Sequence, residues 1–382
     1  MGHSGMVMSD TFKPDMPKVP VIVRAPVRIS FGGGGTDLAA YYAAFGGFVI
    51  STAITRYCYV VAREPEDRSI RLNSADYRIW EQFGPGEPPP VQEPLALPKA
   101  AIAWAVEQGW LARGVDLFLA AEVPPGTGLG SSSAMTVALV HALAALRGNM
   151  LEPAAAAAQA CRLEIERLGK PIGKQDQYAS AYGGLNIIEF TDDDVQVTPL
   201  NMRREVMVAL NQRLLLFATG QSRDSAGILG EQRKHTTTQP LVIEALHRIK
   251  SLAYNMCETL LAEDLDAFGR LLDQAWQQKR RLSGKVSSAA IDTWYAAARA
   301  AGALGGKITG AGGGGFLLLY CPPEHQAAVR RVMTEHGLQE LAFDIDLRGA
   351  QALPSAPAEQ PAAAHVPLPA STVATDVYVP GG

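Results

Sequence analysis

The stretch "PPGTGLGSSSA", Pro124–Ala134, places three glycines and three serines between an apolar run typical of a strand and a longer apolar run typical of a helix. The first turn of a helix leaves about four N–H groups without partners inside the helix and carries a partial positive charge, so it favours an anion. Glycines just before such a helix let a phosphate approach the backbone closely. The stretch therefore predicts a phosphate-binding loop, and its serine hydroxyls are also suited to hold Mg²⁺.

Two better-known phosphate loops are excluded by spacing. A dinucleotide-binding GxGxxG that began at Gly126 would need a glycine in place of Ser131, and the pattern GxxxxGK[ST] occurs nowhere in the chain. An ordinary glycine-rich turn followed by a serine cap is the alternative for the loop taken alone. Two further glycine-rich segments, Gly32–Gly35 near the start and Gly310–Gly315 near the end, favour a common ligand over three independent turns.

The composition excludes some classes of partner. The chain has 382 residues, of which 47% are hydrophobic and 19% charged, and its formal net charge of −4 gives no general attraction to nucleic acid or anionic lipid. Its four cysteines stand far apart, without metal-binding spacing, and are predicted to be buried thiols in a reducing compartment. No segment has the pattern of a signal peptide or about 18 uninterrupted apolar residues. We therefore expect a cytoplasmic protein that binds a small molecule, with no membrane or nucleic-acid partner and with the oligomeric state open between monomer and homodimer.

The order of the apolar patterns predicts an α+β fold with mostly antiparallel sheets in two lobes. We expect a disordered tail at 1–18, an N-terminal lobe at 19–205 that carries the phosphate loop, a C-terminal lobe at 206–350, and an Ala/Pro-rich disordered tail at 351–382. The predicted strands are 19–28, 47–63, 116–123, 210–220 and 315–321, and the predicted helices are 131–147, 153–168, 238–262, 264–282 and 287–301.

The three glycine-rich segments resemble those of the GHMP kinase family of small-molecule kinases. The loop matches the family's central motif PxxxGLGSSxA closely, and the family's motifs extend over roughly residues 20–345. Within the family, "RAPVRISFGGGGTD" and "GKQDQYASAYGGLN" are similar to the D-glycero-D-manno-heptose 7-phosphate kinase group and the related fucokinase domains. The resemblance implies an N-terminal lobe of the ribosomal S5 domain 2 type, a ferredoxin-like C-terminal lobe, and a cleft between them that binds ATP and substrate.

The resemblance also implies a catalytic set. Asp176, in "GKQDQ", matches the acidic residue that takes the proton from the acceptor hydroxyl, and Arg28 matches a contact to the reacting centre. An anomeric hydroxyl is more acidic than an ordinary alcohol, so a carboxylate of modest basicity suffices if it lies within hydrogen-bond reach. For Lys174, two readings stay open: it lowers the pKa of Asp176 or binds phosphate, or it is a solvated surface lysine.

The implied Mg²⁺ ligands are Ser132 and a glutamate from the helix "ACRLEIERLG". Glu164 stands twelve residues before Asp176, the spacing found in galactokinases, whereas Glu166 stands ten before it and points to a different face of the helix. We expect Glu164 to be the ligand and keep Glu166 as the alternative.

Substrate binding is assigned by the same resemblance. Asp37 would accept hydrogen bonds from sugar hydroxyls, with a cap on the helix that starts near Leu38 as the alternative reading. Arg223, in "TGQSRDSAG", is the first candidate for a distal phosphate on the substrate, ahead of Arg56. The other substrate-binding candidates are Gly34, Gly35, Thr36, Gly312 and Gly313, and those for the ATP phosphates are Pro125, Gly126, Gly128, Leu129, Gly130, Ser131, Ser132 and Ser133.

The implied activity is ATP-dependent phosphorylation of the anomeric hydroxyl of D-glycero-α-D-manno-heptose 7-phosphate. Galactokinases have glutamate and histidine where this chain has Gly34 and Gly35, which argues against galactose. Two alternatives stay open: a kinase of a plain sugar such as L-fucose, and a catalytically silent relative that binds sugar or nucleotide.

Overall fold

The computed structural model describes residues 19–85, 88–111, 114–220 and 239–354, with the isolated positions 227, 230 and 236 in addition. Within this part of the chain, strands and helices form two sheets covered by helices, which confirms the predicted α+β class. The strands are β1 Val21–Gly32, β2 Gly47–Arg63, β3 Ile70–Ser74, β4 Ile79–Phe83, β5 Val115–Ala121, β6 Leu185–Phe190, β7 Val195–Pro199, β8 Leu214–Ala218, β9 Gly305–Ile308, β10 Phe316–Tyr320, β11 Gln339–Glu340 and β12 Gln351–Leu353. The helices are α1 Ala39–Phe45, α2 Ala96–Glu107, α3 Ser131–Ala145, α4 Pro153–Cys161, α5 Gln175–Tyr182, α6 Arg204–Gln212, α7 Pro240–Leu261, α8 Leu265–Lys279, α9 Ala289–Ala300 and α10 Gln326–Glu335.

The first sheet has eight strands and is organised by β2. This strand is rich in β-branched and aromatic residues, which favour extended backbone, and it is long enough to pair with β1 on one side and with both β5 and β6 on the other. The strand order is β12-β1-β2-β5-β3-β4, and β6 also pairs with β7. All pairs in the sheet are antiparallel except β3 with β5. The predicted preference for antiparallel pairing is therefore confirmed.

The second sheet has four antiparallel strands in the order β11-β8-β10-β9. Its central strands read "LLLFA" and "FLLLY", and nearly every residue in them is buried. One face supplies a second apolar cluster that includes Trp276 and Ile291, while the main cluster extends from the first sheet and helices α2 to α5 to helices α7 and α8 and to other residues of β8 and β10. All four cysteines are buried and free, as predicted.

Two sequence predictions need correction, whereas the predicted lobe boundary at 205/206, which lies within α6, stays a prediction. Residues 210–212, predicted as strand, complete α6, and the strand begins only at Leu214. Residues 351–353, assigned to the disordered tail, form β12 and pair with β1 in the first sheet. Their sequence, "QAL", is too short to give a periodic signal, and its backbone bonds come from a strand more than 300 residues earlier in the chain.

Candidate active site

The three glycine-rich segments meet. The loop before α3 packs on the segment before β10 so closely that a β-carbon on Gly128 would lie 2.6 Å from the carbonyl oxygen of Thr309. A β-carbon on Gly310 would likewise lie 2.4 Å from the Cα of Gly128. The first segment joins them through β1, because the Arg28 N–H donates to the Leu129 carbonyl at 2.9 Å. The loop is therefore in direct backbone contact with the third segment and with β1, which leads into the first segment, and a common ligand stays a prediction.

Arg28 and Asp176 form the centre of this cluster. The Arg28 Nε donates to Asp176 Oδ1 and its Nη2 to Oδ2, each at 2.7 Å, and its Nη1 donates to the Gly128 carbonyl at 2.7 Å. The side chain of Arg28 is 4% exposed and that of Asp176 is 22% exposed, so the carboxylate has an open side. Gly130, at the start of α3, leaves room for it, since a β-carbon there would lie 3.1 Å from Asp176 Oδ2. A carboxylate is thus fixed beside the first turn of the helix.

Asp37 is a second carboxylate of the same site. It is 3% exposed, and its oxygens accept backbone N–H bonds from Gly35 at 2.9 Å and from Gln175 at 3.4 Å. Burial raises the pKa of Asp37, and the nearby Asp176 charge adds to the shift. Gly173 permits the close approach, because a β-carbon on it would lie 1.8 Å from Asp37 Oδ2. The helix α1 begins without a side-chain cap, so the alternative reading of Asp37 as that cap is wrong.

Ser132 and Glu164 lie together, as expected for a metal-binding pair. The Ser132 hydroxyl donates to Glu164 Oε1 at 2.7 Å, and Gln177 Nε2 donates to Glu164 Oε2 at 2.8 Å. The predicted helix is α-helical only to Cys161 and continues as a π-helical turn over Arg162–Arg167. Such wide turns are frequent at functional sites. Glu164 is completely buried on the inner side of this turn, whereas Glu166 is exposed.

The residues at this point fit a magnesium ion. A serine hydroxyl and one carboxylate are hard oxygen donors, and Mg²⁺ is usually held by one or two carboxylates together with substrate phosphates. The described part of the chain contains no cluster of three or more His, Cys, Asp or Glu side chains that could hold a metal by itself. Lys170 was not singled out from the sequence. Its Nζ donates to Ser132 Oγ at 2.8 Å and to Glu164 Oε1 at 3.1 Å.

The remaining predicted residues have different surroundings. The Lys174 ammonium lies 4.9 Å from the centre of the Tyr42 ring, in a cation–π contact. The Thr36 hydroxyl donates to the Gly33 carbonyl at 2.7 Å and accepts from the Phe48 N–H at 3.1 Å, so it holds the first glycine turn together. Arg56 forms an ion pair with Glu122, at 3.8 Å. Arg223 lies outside the described residues.

Gly34 and Gly35 face the helix that carries Asp176. An added β-carbon on Gly34 would lie 3.7 Å from Gln175 Nε2, and the Gly35 N–H is bound to Asp37. In the third segment, the Gly313 N–H donates to the Val286 carbonyl at 2.7 Å, and Gly312 packs on the same residue. The first segment thus lies against the start of α5, and the third lies against Val286.

A cavity of about 390 Å³ adjoins the phosphate loop. Its walls come from the turn between β3 and β4, the start of α2 and the first turn of α3. Sequence patterns do not predict this cavity, because its walls include β3, β4 and α2, which are not among the predicted elements. The residues that connect it to the loop are Pro125, Ser131, Ser132 and Lys170.

Comparison with known proteins agrees with this geometry. The family model described as GHMP kinases N terminal domain matches residues 96–184, and the model described as GHMP kinases C terminal matches residues 252–339. D-glycero-alpha-D-manno-heptose 7-phosphate kinase of Campylobacter jejuni is 30% identical over 324 residues, which are 84% of this chain and 95% of that enzyme. The chain therefore belongs to the GHMP kinase family, whose members take the transferred phosphoryl group from ATP.

Two other relatives indicate the range of similarity. The bifunctional fucokinase/GDP-fucose pyrophosphorylase of Arabidopsis thaliana is 27% identical over 332 residues, which are 82% of this chain and 31% of that enzyme. The crystal structure of a D-glycero-D-manno-heptose 1-phosphate kinase from Bacteroides thetaiotaomicron superimposes with a TM-score of 0.74 at 27% identity, covering 87% of this chain and 99% of that one. Among the described residues, no helix is both long and apolar enough to cross a membrane.

Proposed function

We propose that the chain is an ATP-dependent sugar kinase that phosphorylates the anomeric hydroxyl of D-glycero-α-D-manno-heptose 7-phosphate. The observation that carries the proposal is the position of the Asp176 carboxylate beside Gly130, at the start of the helix that follows the phosphate loop. A hydroxyl bound to this carboxylate would face a phosphoryl group bound at the same helix start. The two heptose kinase relatives support the choice of sugar.

In this reaction the protein acts mainly by positioning and by charge stabilisation. The loop N–H groups and the start of α3 bind the nucleotide phosphates, and the adjoining cavity receives the nucleoside. Asp176 orients the acceptor hydroxyl and accepts its proton as the oxygen attacks the γ-phosphorus of ATP, whose bond to the bridging oxygen breaks to release ADP. Arg28 holds both carboxylate oxygens, so the orientation of the base is set before the substrate arrives.

The buried Asp37 supplies a second contact to the sugar. Its oxygens are placed by backbone N–H groups, and a carboxylate in such a position recognises neighbouring hydroxyls. A sugar that lacks or inverts one of them would leave a buried polar group without its partner, which costs about 1–3 kcal/mol.

Ser132 and Glu164 would hold Mg²⁺ with the nucleotide. When bound, the ion would supply positive charge that neutralises the charge developing on the phosphate oxygens. The oxygens that the two side chains present are 2.7 Å apart, so both lie within reach of one ion.

The substrate is tested by comparing kcat/KM for D-glycero-D-manno-heptose 7-phosphate with that for L-fucose, mannose and galactose. We expect the heptose phosphate to be preferred by at least about a hundredfold. One heptose kinase relative is named for the 7-phosphate and the other for the 1-phosphate. The position of the new phosphate is therefore checked by ³¹P NMR of the product, and we expect it on the anomeric carbon. Equal use of L-fucose would favour the fucokinase relatives, and no turnover with any sugar despite nucleotide binding would identify a silent binding protein.

A further inference from the structure

Lys279, the last residue of α8, brings an ammonium group to the point where two glycine segments touch. Its Nζ donates to the Gly310 carbonyl, and Gly310 packs directly on Gly128 of the phosphate loop. The Gly128 carbonyl in turn accepts a hydrogen bond from Arg28. The two cations are therefore bound to the carbonyl groups of two glycines in contact. Lys279 thus lies beside the guanidinium group that holds Asp176.

The ammonium of Lys279 has hydrogen-bonding capacity to spare. An ammonium carries three donors, and among the described residues the Gly310 carbonyl is the acceptor that it reaches, with no carboxylate there forming an ion pair with it. Burial lowers the pKa of Lys279 to about 8; the charge of Arg28 acts in the same direction, and that of Asp37 opposes it. Lys279 is half-buried, and a cation partly withdrawn from water without a paired carboxylate is stabilised when an anion compensates it. The site would therefore favour an added anion.

Lys307, a second lysine close to Lys279, has a different role. Lys307 lines the same small cavity behind Gly32–Gly34, but its Nζ donates to the Ser30 carbonyl at 2.7 Å and to the Phe31 carbonyl at 3.4 Å. Its bonds join β9 of the second sheet to β1 of the first. Lys307 is thus a structural link, and Lys279 is the lysine with donors available for a ligand.

We propose that the Lys279 ammonium binds a phosphate group at the reaction centre, in addition to the contacts made by Arg28 and the phosphate loop. This inference rests on the proposed function. The phosphate has two sources, the γ-phosphoryl group of ATP and the phosphate that the sugar already carries. An ammonium is a compact charge that suits phosphate oxygens from either source.

The experiment separates the charge of Lys279 from its contact with the loop. Lys279→Gln keeps an N–H donor for the Gly310 carbonyl but removes the charge, and Lys279→Arg keeps the charge. Arg281→Gln, two residues further on, is the matched control, because it removes an exposed cation that donates a hydrogen bond to Gln278. For each variant, kcat and KM are measured with heptose 7-phosphate and with the unphosphorylated heptose.

The two possible sources of the phosphate predict different kinetics for Lys279→Gln. If Lys279 binds the sugar's phosphate, Lys279→Gln raises KM for heptose 7-phosphate at least tenfold and leaves kcat/KM for the plain heptose unchanged. If it binds the transferred phosphoryl group, kcat falls by roughly tenfold to a hundredfold with both sugars. In either case Lys279→Arg retains more activity than Lys279→Gln. Kinetics of Lys279→Gln within about twofold of those of Arg281→Gln would overturn the proposal.

A second readout does not depend on the identity of the sugar. Inorganic phosphate is added to each protein, and the thermal unfolding midpoint is followed. We expect phosphate to raise the midpoint of the wild-type protein and of Arg281→Gln more than that of Lys279→Gln. Equal shifts of the unfolding midpoint in the wild-type protein and in Lys279→Gln would overturn the inference. A smaller shift in Lys279→Gln, together with no wild-type activity on heptose 7-phosphate, would overturn the proposed substrate alone.

Discussion

Both carboxylate oxygens of Asp176 accept hydrogen bonds from Arg28, each at 2.7 Å, across 148 residues of sequence. Such a bidentate pair fixes the plane of the carboxylate as well as its position. The third bond of the guanidinium group, to Gly128, attaches the pair to the phosphate loop. The Asp176 carboxylate and the loop are therefore held by one side chain.

Replacing Asp176 by asparagine should abolish most of the turnover. Asp176→Asn keeps the size of the side chain but removes the proton acceptor and places an amide against Arg28, so we expect kcat to fall by roughly a hundredfold or more with little change in ATP affinity. Steady-state kinetics and nucleotide titration measure the two effects. Asp37→Asn is the comparison, and it should mainly raise KM for the sugar. Turnover close to wild type in Asp176→Asn would remove Asp176 from the catalytic role.

The contact between the glycine segments can be tested at Gly128. Gly128→Ala would put a β-carbon 2.6 Å from the Thr309 carbonyl oxygen, at a φ of +79°, and so push the phosphate loop away from the third segment. We expect KM for ATP to rise at least tenfold. Gly148→Ala is the control, since Gly148 has a similar φ of +71° but no atom within 4 Å of the added carbon. It should show only the strain of the left-handed backbone, about 1–2 kcal/mol of stability. Equal KM values in the two variants would argue against the contact.

Lys170 should stabilise the metal-binding pair when no metal is present. Lys170→Met leaves the buried Glu164 carboxylate without its ammonium partner, so we expect a free energy of unfolding lower by about 1–3 kcal/mol in EDTA. Mg²⁺ with ADP should restore much of this loss, because the ion supplies positive charge at the same oxygens. Denaturant unfolding with and without MgADP measures both effects.

Arg167→Met provides the control for Lys170. It breaks a partly exposed pair with Glu107, and such pairs contribute about 0–1 kcal/mol. Its effect should not depend on MgADP. If the two variants responded alike to EDTA and to MgADP, Lys170 would not be the counter-ion of the site.

Acid should destabilise the protein through His141, which lies on α3 behind the phosphate loop. Burial lowers the pKa of His141 to about 4, from about 6.5 in the unfolded chain. Between these two values the unfolded state binds more protons than the folded state. The stability that comes from a neutral His141 is therefore complete above pH 6.5 and is lost as the pH falls towards 4. The free energy of unfolding changes by up to about 1.4 kcal/mol per pH unit. Denaturant unfolding of wild type and His141→Leu across this range should show a smaller acid loss in the variant. Parallel curves would exclude His141 as the cause.

The sequence predicts the local parts of the site well. The helix start at Ser131 and the first β-strands follow from periodicity, and the residues assigned by family resemblance include Arg28, Asp176, Ser132 and Glu164, which contact one another in two pairs. The preference for Glu164 over Glu166 agrees with the buried position of Glu164. The roles of these residues stay predictions, to be tested as described above.

The parts that sequence reasoning missed depend on tertiary contacts. Lys170 and Lys279 stand among other charged residues, "RLGKP" and "QQKRR", and nothing in those patterns distinguishes an inward ammonium from a solvated one. The π-helical turn that carries Glu164 has no periodic signature of its own. Lys174, which does have a motif position, packs on Tyr42 instead of contacting Asp176. Side-chain direction in these segments is set by what packs against them.

The pairing of β12 with β1 brings the two ends of the described fold side by side, with Ile22 opposite Leu353. A short linker could therefore join these ends, and new termini could be opened at the turn around Gly148, where space surrounds the backbone. Such a circular permutant would keep every contact of the cleft while changing the order in which its parts are synthesised. The pairing also means that the chain passes between the two sheets at least twice, so the lobes form one closed topological unit and cannot be separated by a single cut.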